Sequence, residues 1–450
     1  MRGRREWSWG LAAVTALGLG VRVAYVLFWK RHAQFSGDAF YYHEAANLLA
    51  QGHGFVGPYY WLRHLVSQSA DHPPLYIVAL AVPSVLGATS TLAHQLTSCL
   101  IGAATVAAVG LAGRELAGPP AGLLAALVAA LSPTLWVNDG VLMSESLVQL
   151  TVALVILAAY RWWKRPGWRM AAAAGAATAL AALTRAELAL LAPLLLVPLA
   201  LSLRALPWGR RAALLGASLA AMAAVVAPWA IYNTTRFDRP VILSSGLGLA
   251  LAGANCDATF NGRFLGYWSF PCQNELQSLT GDASDQDGAY RRHALDYIRR
   301  HEGRLAAVVA ARLGRVWGLY RPGQLLRVER FVETRELVPA EAGLGLLYAL
   351  VAMSAVAAVG LRRRGGPPAW PCLAMAAAVS VTVALTYGTT RFRAPADVGL
   401  VVLASAGASM LLERGRMRRR GGQELLSLGP AAVSQREPVG AMSPAVALPE

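Results

Sequence analysis

Long apolar runs recur along this chain, and many of them can cross the roughly 30 Å hydrocarbon layer of a membrane. Of its 450 residues, 56% are hydrophobic and only 15% are charged, and the mean hydropathy is +0.43. A chain of this kind cannot be an ordinary water-soluble domain. The composition therefore predicts an all-α protein with many membrane spans.

The formal charge of +16 could suggest a nucleic-acid partner. However, many of the arginines lie in short clusters between apolar runs, at residues 2–5, 161–169, 204–211, 362–364 and 414–420. Basic clusters of this kind mark the cytoplasmic side of a membrane protein. The charge is therefore information about topology, and we expect no nucleic-acid partner.

We predict about ten transmembrane helices, with both termini in the cytoplasm. The spans are expected at residues 9–29, 91–113, 119–135, 144–161, 169–184, 187–203, 211–230, 341–361, 369–386 and 396–412. The first run is kept as a span because no small-residue cleavage site follows it. Residues 74–90 are apolar but short, and counting them as a crossing would put two basic clusters outside. They are predicted to form a re-entrant or interfacial helix.

This topology gives one membrane domain, residues 1–412, followed by a tail. Two long external loops, 30–90 and 231–340, and a short turn at 136–144 lie outside, and the second loop includes an amphipathic stretch from 290 to 317. Residues 413–450 are first basic and then rich in Pro, Ser, Gly and Ala, as in a disordered cytoplasmic tail. The predicted location is the plasma membrane.

Two of the four cysteines, Cys256 and Cys272, fall in the second external loop. A disulfide between them suits an oxidising outer compartment, although two cysteines in one loop can also stay unpaired. A zinc site is not indicated, because no Cys-x-x-Cys or matching histidine pair accompanies them.

Acidic residues lie near the external ends of the predicted spans. Asp38 precedes a short helical pattern, so its carboxylate can cap that helix, and an ionised carboxylate held there can also activate a hydroxyl group. Asp71 and His72 stand before a Pro-Pro helix start, where they can cap the helix or contact a phosphate or a divalent metal ion. Glu145 can be a first-turn residue favoured by the helix dipole, or part of a shared external site.

Arg185 and Arg391 are predicted on the same outer face, against the positive-inside trend. A guanidinium group grips phosphate oxygens through paired charge-assisted hydrogen bonds, so an anionic lipid phosphate would explain both residues. An ordinary ion pair, such as Arg185 with Glu187, is the alternative.

Six short motifs follow one another in a characteristic order. They are Gly-Asp-Ala-Phe-Tyr-Tyr from residue 37, Asp-His-Pro-Pro-Leu-Tyr from 71, Ser-Glu-Ser-Leu from 144, Leu-Thr-Arg-Ala-Glu from 183, Ala-Pro-Trp-Ala-Ile-Tyr-Asn from 227 and Thr-Arg-Phe-Arg-Ala-Pro from 390. In the order of these motifs the chain resembles the GT-C superfamily of membrane glycosyltransferases. The resemblance runs from about Val21 to Ser405. The similar branch contains the dolichyl-phosphate-mannose protein mannosyltransferases and the lipid A aminoarabinose transferases.

The resemblance implies an inverting enzyme of the cell envelope that moves a sugar from a polyprenyl-phosphate donor to a hydroxyl acceptor on the extracytoplasmic side. The acceptor would be a glycan, a lipid or a protein. By motif, Asp38 and Glu145 would be catalytic, Asp38 as the base and Glu145 as the second acid of the cavity. His72, Arg185 and Arg391 would contact the donor phosphate, with Asp71 and His72 near a bound divalent ion.

Two departures from the family pattern matter. Ala39 stands where the eukaryotic protein mannosyltransferases have a second carboxylate, and His72 stands where aminoarabinose transferases commonly have a lysine. The rival class is a transporter or flippase of lipid-linked intermediates, which would place its ionisable groups near the middle of its spans.

Overall fold

The computed structural model describes residues 2–276 and 279–427. Within these ranges the chain forms helices joined by turns, and its extended pairing is a single antiparallel bridge between Val56 and Gln68. The prediction of an all-α polytopic membrane protein is therefore confirmed.

The helices are numbered α1 to α20 in chain order. The first part contains α1 (Arg2–Tyr25, continued by a π-helical turn Val26–Lys30), α2 (Gly37–Ala50), α3 (Pro58–Trp61) and α4 (Leu75–Val85). The central part contains α5 (Thr91–Ala117), α6 (Pro119–Leu131), α7 (Pro133–Gly140), α8 (Glu145–Lys164), α9 (Trp168–Thr184), short turns at Ala186–Leu190 and Ala192–Leu196, α10 (Val197–Ser202) and α11 (Trp208–Thr234).

The loop 231–340, which is predicted to be external, contains six helices, α12 (Leu247–Ala254), α13 (Asp257–Phe260), α14 (Phe270–Gln273), α15 (Ala283–Arg300), α16 (Glu302–Val316) and α17 (Pro322–Val332). The last part contains α18 (Leu337–Arg363), α19 (Trp370–Leu385), a 3-10 turn at Thr390–Arg393 and α20 (Ala394–Ser427). The predicted amphipathic stretch 290–317 is therefore two helices, α15 and α16, which meet at His301.

All ten predicted spans coincide with helical segments. By length and composition, the described residues include six helices that can cross a membrane, namely α1, α5, α8, α11, α18 and α20, or seven if the bent pair α6 and α7 is one span. The apolar helix α4, the segment Ala186–Ser202 and α19 are shorter. The number of ten crossings, and the re-entrant character of residues 74–90, stay predictions.

One predicted span is not a straight helix. Residues 119–135 were expected to form one span, but α6 ends at Leu131 and α7 begins at Pro133, with an angle of 47° between them. Proline cannot donate a backbone hydrogen bond and its ring clashes with the preceding turn, so Pro133 starts a new helix.

Small residues bring the first helices into close contact. α5 and α6 meet at Gly113 and Gly122, where an added Cβ would lie 2.9 and 2.7 Å from the facing helix, and a Cβ at Gly110 would lie 2.6 Å from Leu11 on α1. In a membrane, where apolar helices gain little by leaving the lipid, close backbone approach of this kind is what stabilises a helix pair.

A fully buried ion pair ties α1 to α7. Arg22 Nε lies 2.7 Å from Asp139 Oδ2, and neither side chain has any exposed surface. The Arg22 guanidinium also donates to the carbonyl oxygens of Gly18, Ala129 and Ala130. Gly102 on α5 makes room for the pair, because a Cβ at this position would lie 2.2 Å from the Asp139 carboxylate. The sequence reading placed Asp139 in an external turn and did not anticipate the pair.

Residues up to Ala408 form one compact unit, and Ser409 begins a second unit. The described part of the second unit is the continuation of α20 to Ser427, which includes residues 413–427 of the predicted tail. Residues 428–450, the rest of that tail, lie outside the described residues.

Candidate functional site

The structure brings together five of the residues predicted from the sequence. A continuous series of ionic contacts runs through His72, Asp38, Arg391, Glu145 and Arg185. These residues lie up to 353 positions apart in the chain. Each stands at or near the end of a helix, so the convergence predicted for one end of the helical bundle is present in the geometry.

Asp38 lies in the first turn of α2 and its side chain faces the cluster. Gly37 adopts a φ of +57°, a backbone conformation that glycine adopts readily, and Ser36 is the N-cap residue, with no side-chain capping bond. The Asp38 carboxylate accepts a hydrogen bond from Arg391 at 2.8 Å and lies 3.6 Å from His72 Nε2. The capping interpretation of Asp38 is therefore wrong.

Burial tends to raise the pKa of Asp38, but the charges of Arg391 and then His72, with their hydrogen bonds, lower it by more. The net result is a pKa well below the usual range of an aspartate. One third of the Asp38 side chain is exposed, so the ionised carboxylate can meet a molecule that approaches from the solvent.

Glu145 is the first residue of α8 and is fully buried. Its Oε1 accepts from Arg185 at 2.6 Å and from Arg391 at 2.8 Å. Arg185 also contacts Glu187 at 2.5 Å, so the ion pair considered as an alternative exists beside the predicted cluster. Both guanidinium groups contact Oε1, whereas Oε2 has no hydrogen-bond partner within the described ranges. The two ion pairs point to positioning of the guanidinium groups rather than proton transfer.

Asp71 and His72 are adjacent in the chain, but their side chains lie in different surroundings. His72 stacks near Tyr41 and Tyr42, with ring centroids 4.9 and 4.8 Å away, and points toward Asp38. The Asp71 carboxylate instead lies 3.5 Å from the hydroxyl of Ser245. The N-cap residue of α4 is Pro74, so Asp71 does not cap that helix.

Among the described residues, groups of three side chains arranged as metal ligands occur elsewhere than at Asp71 and His72. One consists of Asp238, Asp282 and Asp285, and the other of Cys256, Cys272 and Glu275. The two cysteines of the second group are bonded to each other in a disulfide, with their Cα atoms 6.1 Å apart, and a bonded sulfur is not a thiolate ligand. A metal ion at Asp71 and His72 stays a prediction.

Sequence reasoning missed a second layer of charged residues behind Arg391. Glu333 lies 3.8 Å from the Arg391 guanidinium and 2.8 Å from Arg335, which in turn donates to Asn138. Glu329, one turn earlier on α17, is also buried. Glu329 lies on the amphipathic helix α17, where a buried acid is indistinguishable by pattern from one on a solvated helix face. Glu333 and Arg335 follow the end of that helix.

Two cavities meet at Arg391. The first, partly open to solvent, is lined by Arg185 and Arg391 together with the apolar side chains of Val148, Leu188 and Val379. The second lies among α7, α17 and α18. The arrangement therefore places two guanidinium groups beside apolar side chains.

The fold is shared with membrane glycosyltransferases of the GT-C type. The oligosaccharyltransferase of Archaeoglobus fulgidus in its apo form is 15% identical with a TM-score of 0.55, over 93% of this chain and 52% of that one. The same enzyme, AglB, in complex with an inhibitory peptide and a dolichol-phosphate is 16% identical with a TM-score of 0.53, over 96% and 53%. This chain thus spans about half the length of these proteins.

Residues 71–232 match the family model described as dolichyl-phosphate-mannose-protein mannosyltransferase. A weaker structural similarity, with 16% identity and a TM-score of 0.42 over 90% of this chain and 78% of that one, is to ArnT from Cupriavidus metallidurans bound to undecaprenyl phosphate. No curated protein matches the chain by sequence. The resemblance drawn from the six motifs is confirmed by the family model and the shared fold.

Proposed function

We propose that the protein is an inverting glycosyltransferase that moves a sugar from a polyprenyl-phosphate donor to a hydroxyl acceptor at the outer face of the plasma membrane. The observation that carries the proposal is the contact between an ionised, partly exposed carboxylate, Asp38, and a guanidinium group, Arg391. The family model over residues 71–232 supports it, as does the dolichol-phosphate complex of the oligosaccharyltransferase with the same fold.

Asp38 is the catalytic base in this proposal. The acceptor oxygen forms a bond to the anomeric carbon of the sugar while the bond from that carbon to the phosphate oxygen breaks. The acceptor proton passes to Asp38, and the electron pair leaves with the polyprenyl phosphate. General base catalysis of this kind typically contributes about 10²- to 10⁴-fold to a rate.

Arg391 and Arg185 receive the departing phosphate, because charge-assisted hydrogen bonds to phosphate strengthen as its negative charge grows. The polyprenyl chain would lie along Val148, Leu188 and Val379 in the first of the two cavities. When Arg391 turns toward the phosphate, Asp38 loses the charge that depresses its pKa. Donor binding would therefore make Asp38 a stronger base at the moment it is needed.

Glu145 and Glu187 keep the two guanidinium groups in place before the donor binds. We therefore revise the role expected for Glu145 from catalysis to positioning. His72 lies on the opposite side of Asp38 from Arg391 in the series of contacts and can orient the carboxylate or meet the phosphate. If a divalent metal ion takes part, Asp71 and His72 are the residues that would face it.

A transporter or flippase is less well supported by this geometry. Asp38, Glu145, Arg185 and Arg391 all lie at helix ends. A transport site of the kind expected for a flippase would instead be built near the middle of the spans.

The test compares wild type with Asp38→Asn and with Glu44→Gln, a partly exposed acid on the same helix. Lipid-linked sugars in membranes are profiled by mass spectrometry with equal amounts of each protein. Wild type and Glu44→Gln should consume a polyprenyl-phosphate sugar, and with Asp38→Asn that donor should accumulate. Equal consumption by Asp38→Asn and wild type would remove Asp38 from the proposed role, and no consumption by wild type would reject the proposed reaction.

A further inference from the structure

The short segment that carries Arg391 does not fix its own conformation. Arg391 belongs to a 3-10 turn, Thr390–Arg393, between α19 and α20. The N-cap residue of this turn, Thr389, has an extended backbone and makes no side-chain capping bond. The free backbone N–H groups at the start of such a turn need a partner from elsewhere.

Glu329 of α17 supplies that partner. Its carboxylate accepts hydrogen bonds from the Thr389 hydroxyl at 2.7 Å, from the Thr390 backbone N–H at 2.8 Å and from the Thr390 hydroxyl. Only 1% of Glu329 is exposed. A carboxylate so buried is costly unless hydrogen bonds satisfy it, and all three of these bonds go to the two residues before Arg391.

The same external loop holds this segment at two further points. The Gly388 backbone N–H donates to the carbonyl oxygen of Gly266 at 2.9 Å, and Gly266 lies within the loop closed by the Cys256–Cys272 disulfide. Arg393 donates to the carbonyl oxygen of Val316 on α16. The position of Arg391 is therefore set by helices of residues 231–340 and not by α19 and α20 alone.

We propose that Glu329 is a positioning residue that fixes Arg391 for the donor phosphate. The inference rests on the proposed function, since it assigns Arg391 to that phosphate. Glu329 makes no ion pair with a guanidinium group among the described contacts, so its hydrogen bonds carry the effect. A glutamine keeps one acceptor oxygen and the shape of the side chain, so it should substitute for Glu329 in this positioning role.

The experiment measures binding of undecaprenyl phosphate to the purified full chain in detergent. Glu329→Ala and Arg391→Ala should each weaken binding at least tenfold, whereas Glu329→Gln should stay within threefold of wild type. Arg330→Ala, an exposed neighbour on the same helix, is the matched control and should bind normally. Because Glu329 acts through Arg391, the double variant should bind no more weakly than Arg391→Ala, within threefold.

Additive losses in the double variant, or equal losses in Glu329→Ala and Glu329→Gln, would overturn the positioning role. Should Glu329→Ala not fold, Thr390→Val decides, because it removes one of the three bonds from the other side. It should weaken binding by more than threefold, and binding within threefold of wild type would overturn the proposal. Wild type that binds no undecaprenyl phosphate would instead reject the proposed function, and this inference with it.

Discussion

Replacement of Glu145 by glutamine is the perturbation whose effect the structure determines most directly. The fully buried carboxylate holds Arg185 and Arg391, whose side chains are only 13% and 11% exposed. Breaking a buried ion pair costs about 3–5 kcal/mol, because an uncompensated charge is left behind. Arg185 keeps Glu187 and Arg391 keeps Asp38, so we expect the lower end, about 3 kcal/mol.

The matched control is Glu115→Gln. Glu115 also contacts two cations, Arg161 and Lys164, but its side chain is 31% exposed. Exposed pairs of this kind contribute about 0–1 kcal/mol. Thermal unfolding in detergent should therefore show a clear loss of stability for Glu145→Gln and little change for Glu115→Gln.

A measurement of sugar transfer distinguishes a positioning role of Glu145 from a catalytic one. If Glu145 positions the arginines, Glu145→Gln should both lower the free energy of unfolding and weaken the affinity for undecaprenyl phosphate. The two losses together should come to about 3 kcal/mol, which corresponds to roughly 160-fold. Normal unfolding and normal affinity with abolished transfer would mean that Glu145 acts in catalysis after all. Normal values of all three would refute the reasoning.

Two further predictions concern pH and topology. The pKa of Asp38 is lowered below its usual value, so the ion pair stabilises the fold above about pH 4 and this contribution is lost only as the pH falls further. Between pH 5 and 8 the pH–rate profile should thus show no fall in rate toward acid pH that is caused by protonation of Asp38. A fall in rate near pH 6 that vanishes in Asp38→Glu would contradict this. Tyr60→Cys should react with an impermeant maleimide in intact cells while Arg210→Cys is protected, and the reverse pattern would place the site in the cytoplasm.

The sequence predicted the helices and the convergence well, for a physical reason. A span must be predominantly apolar along its length, so its approximate position can be read from composition. Once the spans are placed, the side of the membrane follows from counting them, and this is why Asp38, Glu145, Arg185 and Arg391 could be assigned to one end of the bundle.

What the sequence did not reveal is which of these charges pair. Glu145 was expected to take part in catalysis because an acid beside a span end has the same pattern whether it meets substrate or an arginine. Glu329 lies on a helix whose polar face looks solvated, and Glu333 directly follows that helix. Both contact residues near 390, some 60 positions away from them. The bend between α6 and α7 carried a signal, Pro133, that was read as part of a continuous span.

The ion pair between Arg22 and Asp139 has a consequence for biogenesis. The two residues are 117 positions apart, so a ribosome that adds 5–20 residues per second needs roughly 6 to 23 seconds to deliver the partner. Until then the first span carries an uncompensated arginine, which costs about 3 kcal/mol in the middle of a bilayer. We expect the translocon to retain this helix until α7 has been made. If a hydrophobic helix without an arginine replaced it, the Asp139 carboxylate would be left without its ion-pair partner.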